Sequence, residues 1–523
     1  MTLHVSSSYE HALQTAYWSI GPRGIRVDTA QLEYARRYVD AEINRNLGIA
    51  SNQWGCPVFI GAANNPDEED EEEAGDGGDT NGSDTTVLTG GAVNINATQG
   101  QYALLAKLKA LGYDVPKITK KSAEGEYETK DSTGELALKK MLAENKFGYP
   151  GGDEAIRAVL QVRTLSKLKT GYLNARFVRR GDVAYLVCVY NVAGTVSGRR
   201  SSRRHPFGYG GNEQNLPKHG SIAHIFGKCL VPREGCVFLF VDQIQAEDWP
   251  VSALAENYQA LKDLNSGVDR HSKLASLIFE IPIPSKSAPE WDEDKHDSYR
   301  FIGKKARHAT NYDMEYPRFF DVLEEEKPPT FKFSFSLAVC KDILERVDRA
   351  DPSIKGVFHK YVRDTLSRSR VLITPEPFLR ERQFLSIRPT EGGHSQKIKE
   401  AFAHIPQSTV ADNTGFALLE LETRYPPEER RIVQEGHDSL VQDIPDTYDA
   451  VYEALLRTDL AFDRKIRFHN GIEIKIPIEA EVGYSFAEKV KIKSFTLQGV
   501  KAAMDLLRDK TKKVSKAQIS LSL

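Results

Sequence analysis

Two sets of segments with different hydrophobic periods predict an α+β protein. Apolar residues recur at helical spacing over residues 29–48, 102–112, 136–142, 155–172 and much of 252–395. Runs rich in β-branched and aromatic residues at 183–192, 236–241, 431–445 and 472–480 read instead as strands. The helical and strand-rich stretches are segregated along the chain, which is the α+β arrangement.

At 523 residues, 40% hydrophobic and 27% charged, the chain has the composition of a globular protein with a substantial core. No apolar run is long enough to span a bilayer, and the polar start Met1-Thr-Leu-His-Val-Ser is not a signal peptide. Five cysteines (56, 188, 229, 236 and 340) form no Cys-x-x-Cys pair, which points to reduced thiols in a cytoplasm and argues against zinc. The net charge of −3 conceals an asymmetry. Nine acids fall within the thirteen residues from Asp67 to Asp79, so the remainder is basic and tolerates a polyanion. A disordered surface insertion is expected at about 66–86.

In chain order, Gly24-Ile-Arg-Val-Asp28 leads into the first helical pattern (Leu32, Ala35, Val39, Ile43), with Asp28 or Thr29 as its cap. A second pattern closes at Gly112. Residues 117–133 have no apolar face and read as a loop. The helix over 155–172 ends in Arg163, Lys167 and Lys169, which suit either a solvated face or a phosphate-tracking one. A strand run and turn then bring in Arg199-Arg-Ser201-Ser202-Arg-Arg204 and Gln214-Asn215-Leu-Pro217. These guanidinium, hydroxyl and amide groups have the chemistry of sugar–phosphate and minor-groove contacts.

The apolar strand Cys236–Val241 stops on Asp242, and a helix is expected from Ala246 to Tyr258. Asp242 is therefore either that helix's cap or a rigidly presented metal ligand. Arg300, Lys304, His308 and Tyr312 recur every four residues and share one helix face, suited to a triphosphate or to plain solvent exposure. Asp438 sits at a turn between two apolar runs, a hairpin by pattern, where Asp-Ser also serves simply to form the turn.

In this order the stretches resemble family A DNA polymerases, from about Gly24 to about Tyr484. Asp242-x-x-Gln245-x-Glu247 is similar to the first palm motif, Arg300 to Tyr312 to the nucleotide-receiving fingers helix, and His437-Asp438-Ser439 to the second palm motif. Further matches are Ser197 to Ser202 with Gln214 to Pro217, Leu165 to Lys169, Asp269-Arg-His271, and Gln407 to Asp412. The resemblance implies a right-hand architecture with helical thumb, antiparallel-sheet palm and helical fingers. Its expected limits are N-terminal helices and thumb at 1–175, palm at 176–250, fingers at 251–395, and the second part of the palm with a basic tail at 396–523.

The implied activity is template-directed addition of deoxynucleotides to a primer 3′ end. Two Mg²⁺ ions, or Mn²⁺ in substitution, would be held by Asp242, Asp438 and the carbonyl of Gln243. Lys304 would protonate the leaving group, Arg300 and His271 would meet phosphates, and Gln245, His308 and Tyr312 would complete the dNTP site. Glu247 would exclude a ribose 2′-hydroxyl. Arg163, Lys167, Lys169, Arg199, Ser201, Ser202, Gln214, Asn215, Lys399, Gln407 and His437 carry over as DNA contacts.

His308 stands where the family usually has Phe or Tyr, Ser439 replaces a Glu, and Gln243 replaces a Tyr. Neither a proofreading exonuclease nor a 5′ nuclease is expected. The partners are primer–template DNA and dNTPs, with room for replication accessory proteins, and the chain is expected to be a monomer in a bacterial or infected-host cytoplasm. The alternatives are a single-subunit RNA polymerase, against which Glu247 and the Arg199–Pro217 block stand, and a catalytically silent DNA-binding subunit, against which both aspartates and Lys304 stand.

Overall fold

In a computed structural model the described residues are 2–61, 92–96, 103–121, 127–143, 152–192, 194–195, 198–217, 220–327, 331, 333, 335–385, 387, 396–426 and 431–521. The acidic stretch at 66–86 and Ser197 lie outside them.

The centre of the molecule is an antiparallel sheet of five strands: β1 (Cys236–Gln243), β2 (Ile432–Glu435), β3 (Ser439–Pro445), β4 (Ile478–Gly483) and β5 (Lys489–Ile492), in the order β2-β3-β1-β4-β5. Strand β1 is central and buried on both faces, which explains its unbroken apolar run. Val237, Leu239 and Val241 enter a core with Val451, Leu455 and Met504, while Phe238 and Phe240 enter the opposite core with Phe226 and Val441. Alternation then places Asp242 on the face of Phe238 and Phe240, at the point where that face opens to solvent.

Helix α1 (Thr29–Trp54) begins as its sequence signals. The Asp28 side chain accepts from the N–H groups of Ala30 and Gln31, and Gly55 ends the helix in the left-handed region. Its apolar stripe, Leu32, Ala35, Val39 and Ile43, meets Ile156, Val159 and Val162 of helix α2 (Gly152–Leu168).

Further on, helix α3 (Arg270–Phe279) packs against helix α4 (Glu293–Asn311). The two approach so closely that a Cβ on Gly303 would lie 2.2 Å from the carbonyl oxygen of His271, so no larger residue fits there. Helix α5 (Gln396–Arg424) runs behind the sheet and carries buried Phe402, Val410 and Leu418.

Two local expectations are corrected. Residues 117–133 are not a plain loop, because Lys117–Lys121 pairs with Tyr127–Asp131 as an antiparallel hairpin. A backbone ladder supplies that order without an apolar face, so periodicity could not reveal it. The helix expected from Ala246 to Tyr258 is two helices, Asp248–Leu254 and Tyr258–Asn265, the second capped by Asn257. Asp242 caps neither, since it lies within β1 paired to β3 and β4.

Candidate active site

The ladder brings the two expected carboxylates together. Asp242 lies opposite Ser439 on one side and Glu479 on the other. Asp438, the residue before Ser439, accepts a hydrogen bond at its carbonyl oxygen from the N–H of Gln243 at 3.0 Å. The tight turn is closed by Gly436 N–H donating to the Ser439 carbonyl at 2.7 Å. Beside this junction opens a cavity of about 550 Å³, lined among others by Phe240, Asp242, Ser439, Glu479 and Lys489.

Gln243 is fixed from behind. Its amide donates to the Val410 carbonyl at 3.2 Å and to Thr414 Oγ1 at 2.9 Å, and its Oε1 accepts from Asn413 at 2.8 Å. The side chain is therefore committed to α5. Among the described residues no three His, Cys, Asp or Glu side chains converge as a metal cluster. The donors on offer there are carboxylates and backbone carbonyls, hard oxygens suited to Mg²⁺.

Helix α4 faces this pair. Ile302, Ala306 and Ala309 point into its core, while Arg300, Lys304 and His308 share the opposite side. Loss of hydration lowers the Lys304 pKa, and Lys305 and Arg300 push it the same way. Asp438 and Asp242 oppose the shift. Arg300 Nε donates to Asp269 Oδ2 at 2.7 Å, with His271 Nδ1 at 3.4 Å from its Nη2. Burial, aided by Arg300 and Lys304, lowers the His271 pKa to about 4 against the pull of Asp248 and Asp269, leaving a neutral imidazole.

Glu247 sits where three chain segments meet. Tyr312 donates its hydroxyl to one carboxylate oxygen, Arg199 is ion-paired to the other, and His308 Nε2 stands 4.0 Å away. Burial opposes ionisation of Glu247, but Arg199, His308 and Tyr312 outweigh it and hold the carboxyl below its usual range. His308 meets the Tyr312 ring edge-on at 5.0 Å. Gln245, at φ 49°, bonds the Val268 carbonyl at 3.0 Å and the Arg270 N–H at 2.9 Å, so it ties the turn after β1 to the start of α3.

The expected DNA contacts fall into two groups. Arg199 and Ser201 are half-buried, Asn215 is exposed, and Lys167 is exposed at 3.8 Å from Glu135. Lys169 pairs with Asp40 at 2.6 Å and Lys399 with Glu315 at 3.0 Å. Gln407 is half-buried on α5, and the His437 carbonyl accepts from Thr414. Three others face inward. Arg163 donates to the backbone carbonyls of Thr133 and Ile95. Ser202 bonds Asn212 Oδ1 at 2.7 Å, and Gln214 donates to Glu435 at 3.1 Å.

Sequence reading missed a buried ion cluster that holds this assembly in place. Asp248 accepts from Arg270 at 2.8 Å and lies 3.5 Å from Arg307 of α4, while Arg307 also pairs with Asp351 at 2.9 Å. The arginines are single charges in helical contexts, and only the fold shows that they share two acids.

The model for DNA polymerase family A matches residues 79–488. The chain belongs to DNA polymerase family A. Among curated members, thermostable DNA polymerase I of Thermus filiformis is 23% identical over 340 residues, 64% of this chain and 36% of that protein. The DNA polymerase I of Synechocystis is 22% identical over 307 residues, 56% of this chain and 29% of that one. The chain thus spans about a third of the length of these family A relatives. Among solved structures, the POL domain of Pol1 from M. smegmatis in complex with DNA primer-template and dNTP shares the fold, with a TM-score of 0.63 at 18% identity. That match covers 91% of this chain and 70% of the other. It agrees with the expected right-hand polymerase architecture.

Proposed function

We propose that this family A chain extends a primer 3′ end with deoxynucleotides on a DNA template, by two-metal nucleotidyl transfer that releases pyrophosphate. The observation that carries this reading is the convergence of Asp242 and Asp438 at one sheet end, within the field of Lys304 on a facing helix. Asp242, Asp438 and the Gln243 carbonyl would hold the ions, Mg²⁺ or in substitution Mn²⁺. When bound they neutralise charge on the attacking and leaving oxygens of an in-line displacement.

The chain's own residues supply the rest. Arg300 is a guanidinium suited to phosphate oxygens, and Asp269 orients it until a triphosphate competes for it. The lowered pKa of Lys304 makes it a better proton donor to a departing phosphate oxygen. Neutral His271 can donate one hydrogen bond to a phosphate without adding charge. Glu247, held by Tyr312 and Arg199, stands as the wall against a 2′-hydroxyl. Ser439 lies next to Asp242 without a charge, so a carboxylate at that position would not be needed for the reaction. Arg199, Lys167 and Asn215 would contact the primer–template.

Extension of a labelled primer–template hairpin by the full chain with Mg²⁺ and dNTPs tests the proposal directly. Absence of extension by folded protein would refute it.

A further inference from the structure

Asp269 makes more bonds than its place at the start of α3 requires. Its Oδ1 caps that helix, accepting from the N–H groups of His271 at 3.1 Å and Ser272 at 3.3 Å. Its Oδ2 accepts from Ser272 Oγ at 3.0 Å, from the Lys286 N–H at 3.2 Å and from Arg300 Nε at 2.7 Å. Capping needs no charge, since asparagine and serine cap as well. The bond that uses the charge is the one to Arg300 on α4.

The two side chains are held together and largely out of water. Helices α3 and α4 meet without a gap at Gly303, which fixes the spacing between them. Asp269 is 11% exposed and Arg300 22%, so little solvent competes for the pair. Burial opposes ionisation of Asp269, but Arg300 and the Lys286 N–H outweigh it and lower the pKa to about 2. The carboxylate is therefore charged at neutral pH.

Its surroundings are otherwise rich in cations. His271 Nδ1 stands 3.4 Å from Arg300 Nη2, and Lys304 follows Arg300 one turn along the same face of α4. Among the described residues Asp269 is the only acid ion-paired to Arg300. A triphosphate entering beside α4 and this carboxylate thus ask for the same guanidinium. An arginine held by an internal acid serves a phosphate only in the fraction of molecules where the pair is open, and apparent affinity falls by that fraction. The same competition helps a departing pyrophosphate to leave.

We infer that Asp269 is a latch on Arg300, a positioning residue that withholds the guanidinium until a nucleoside triphosphate displaces it and retakes it as pyrophosphate departs. The inference deepens the polymerase reading and rests on it for the identity of the triphosphate. The test is equilibrium binding of dATP and of inorganic pyrophosphate, each with Mg²⁺, to the full chain and its variants.

Asp269→Asn keeps the cap and drops the charge. It should bind both ligands about tenfold more tightly, the gain expected if the pair is open in about a tenth of molecules. Asp269→Ser, a second uncharged cap, should show the same gain. A merely structural role predicts the opposite sign, because a disturbed α3–α4 contact weakens binding. In Asp269→Asn/Arg300→Ala the gain should vanish, leaving the affinity of Arg300→Ala alone.

Equal or weaker binding by variants that melt like the wild type would overturn the latch. A gain that survives loss of Arg300 would also overturn it, as would absence of binding in every form. If the wild type extends no primer yet binding follows the expected pattern, the polymerase reading fails and the latch stands. If the wild type extends primers and neither uncharged variant binds more tightly, the latch alone fails.

Discussion

The N–H of Gln243 and the carbonyl of Asp438 are hydrogen-bonded at 3.0 Å, joining two residues 195 positions apart beside the candidate active site. This bond makes β1 and the β2–β3 turn one rigid unit, so the two carboxylates cannot drift apart independently. Either Asp242→Ala or Asp438→Ala should lower kcat for primer extension by about a thousandfold or more, because each removes an interaction worth several kcal/mol in the transition state. DNA affinity should remain, and single-turnover extension beside a binding titration separates the two effects.

Lys304 faces that pair with its pKa lowered by dehydration and by its cationic neighbours. Lys304→Ala should reduce kcat by about 10²–10⁴, the usual range for loss of a general acid. The basic limb of the pH–rate profile should vanish with it. Persistence of that limb in the variant would assign the proton to another group.

Glu247 is gripped by Tyr312 and Arg199. Glu247→Ala should raise kcat/KM for ribonucleotides relative to deoxynucleotides by about tenfold or more, since a wall against one hydroxyl is removed. Competition between labelled rNTP and dNTP at one template position measures it, and an unchanged ratio would remove the gate role.

Asp248 neutralises buried Arg270 and Arg307. Asp248→Ala leaves two buried guanidinium groups with only Asp351 between them, and should cost about 3–5 kcal/mol in urea unfolding. If the loss is small, the cluster is wetter than its burial suggests.

Glu435, fully buried beneath the catalytic turn, has its pKa raised to about 7, chiefly by dehydration, with Arg200 opposing and Asp438 adding to the rise. The fold therefore favours its protonated form. The stability this group contributes is full below its ordinary value of 4.5 and is lost as pH rises towards about 7. Glu435→Gln should flatten that decline, seen as a growing melting-temperature advantage over wild type between pH 5 and pH 8, roughly the window of the shift. A constant difference across that range would contradict the assignment.

The sequence by itself determined the strand that carries Asp242, the helix that aligns Arg300, Lys304 and His308, and the hairpin that carries Asp438. These rest on local periodicity and turn chemistry, which a few neighbouring residues specify. It also supplied the ordered motifs that resemble family A, and the family match bears that out. Only the tertiary structure decided what the side chains do across long separations. Register placed Ser439 and Glu479 on either side of Asp242, desolvation lowered Lys304, and packing turned Arg163, Ser202 and Gln214 inward while leaving Phe207 exposed. Such choices depend on which surfaces lose water together, and that is a property of the folded chain rather than of any stretch within it.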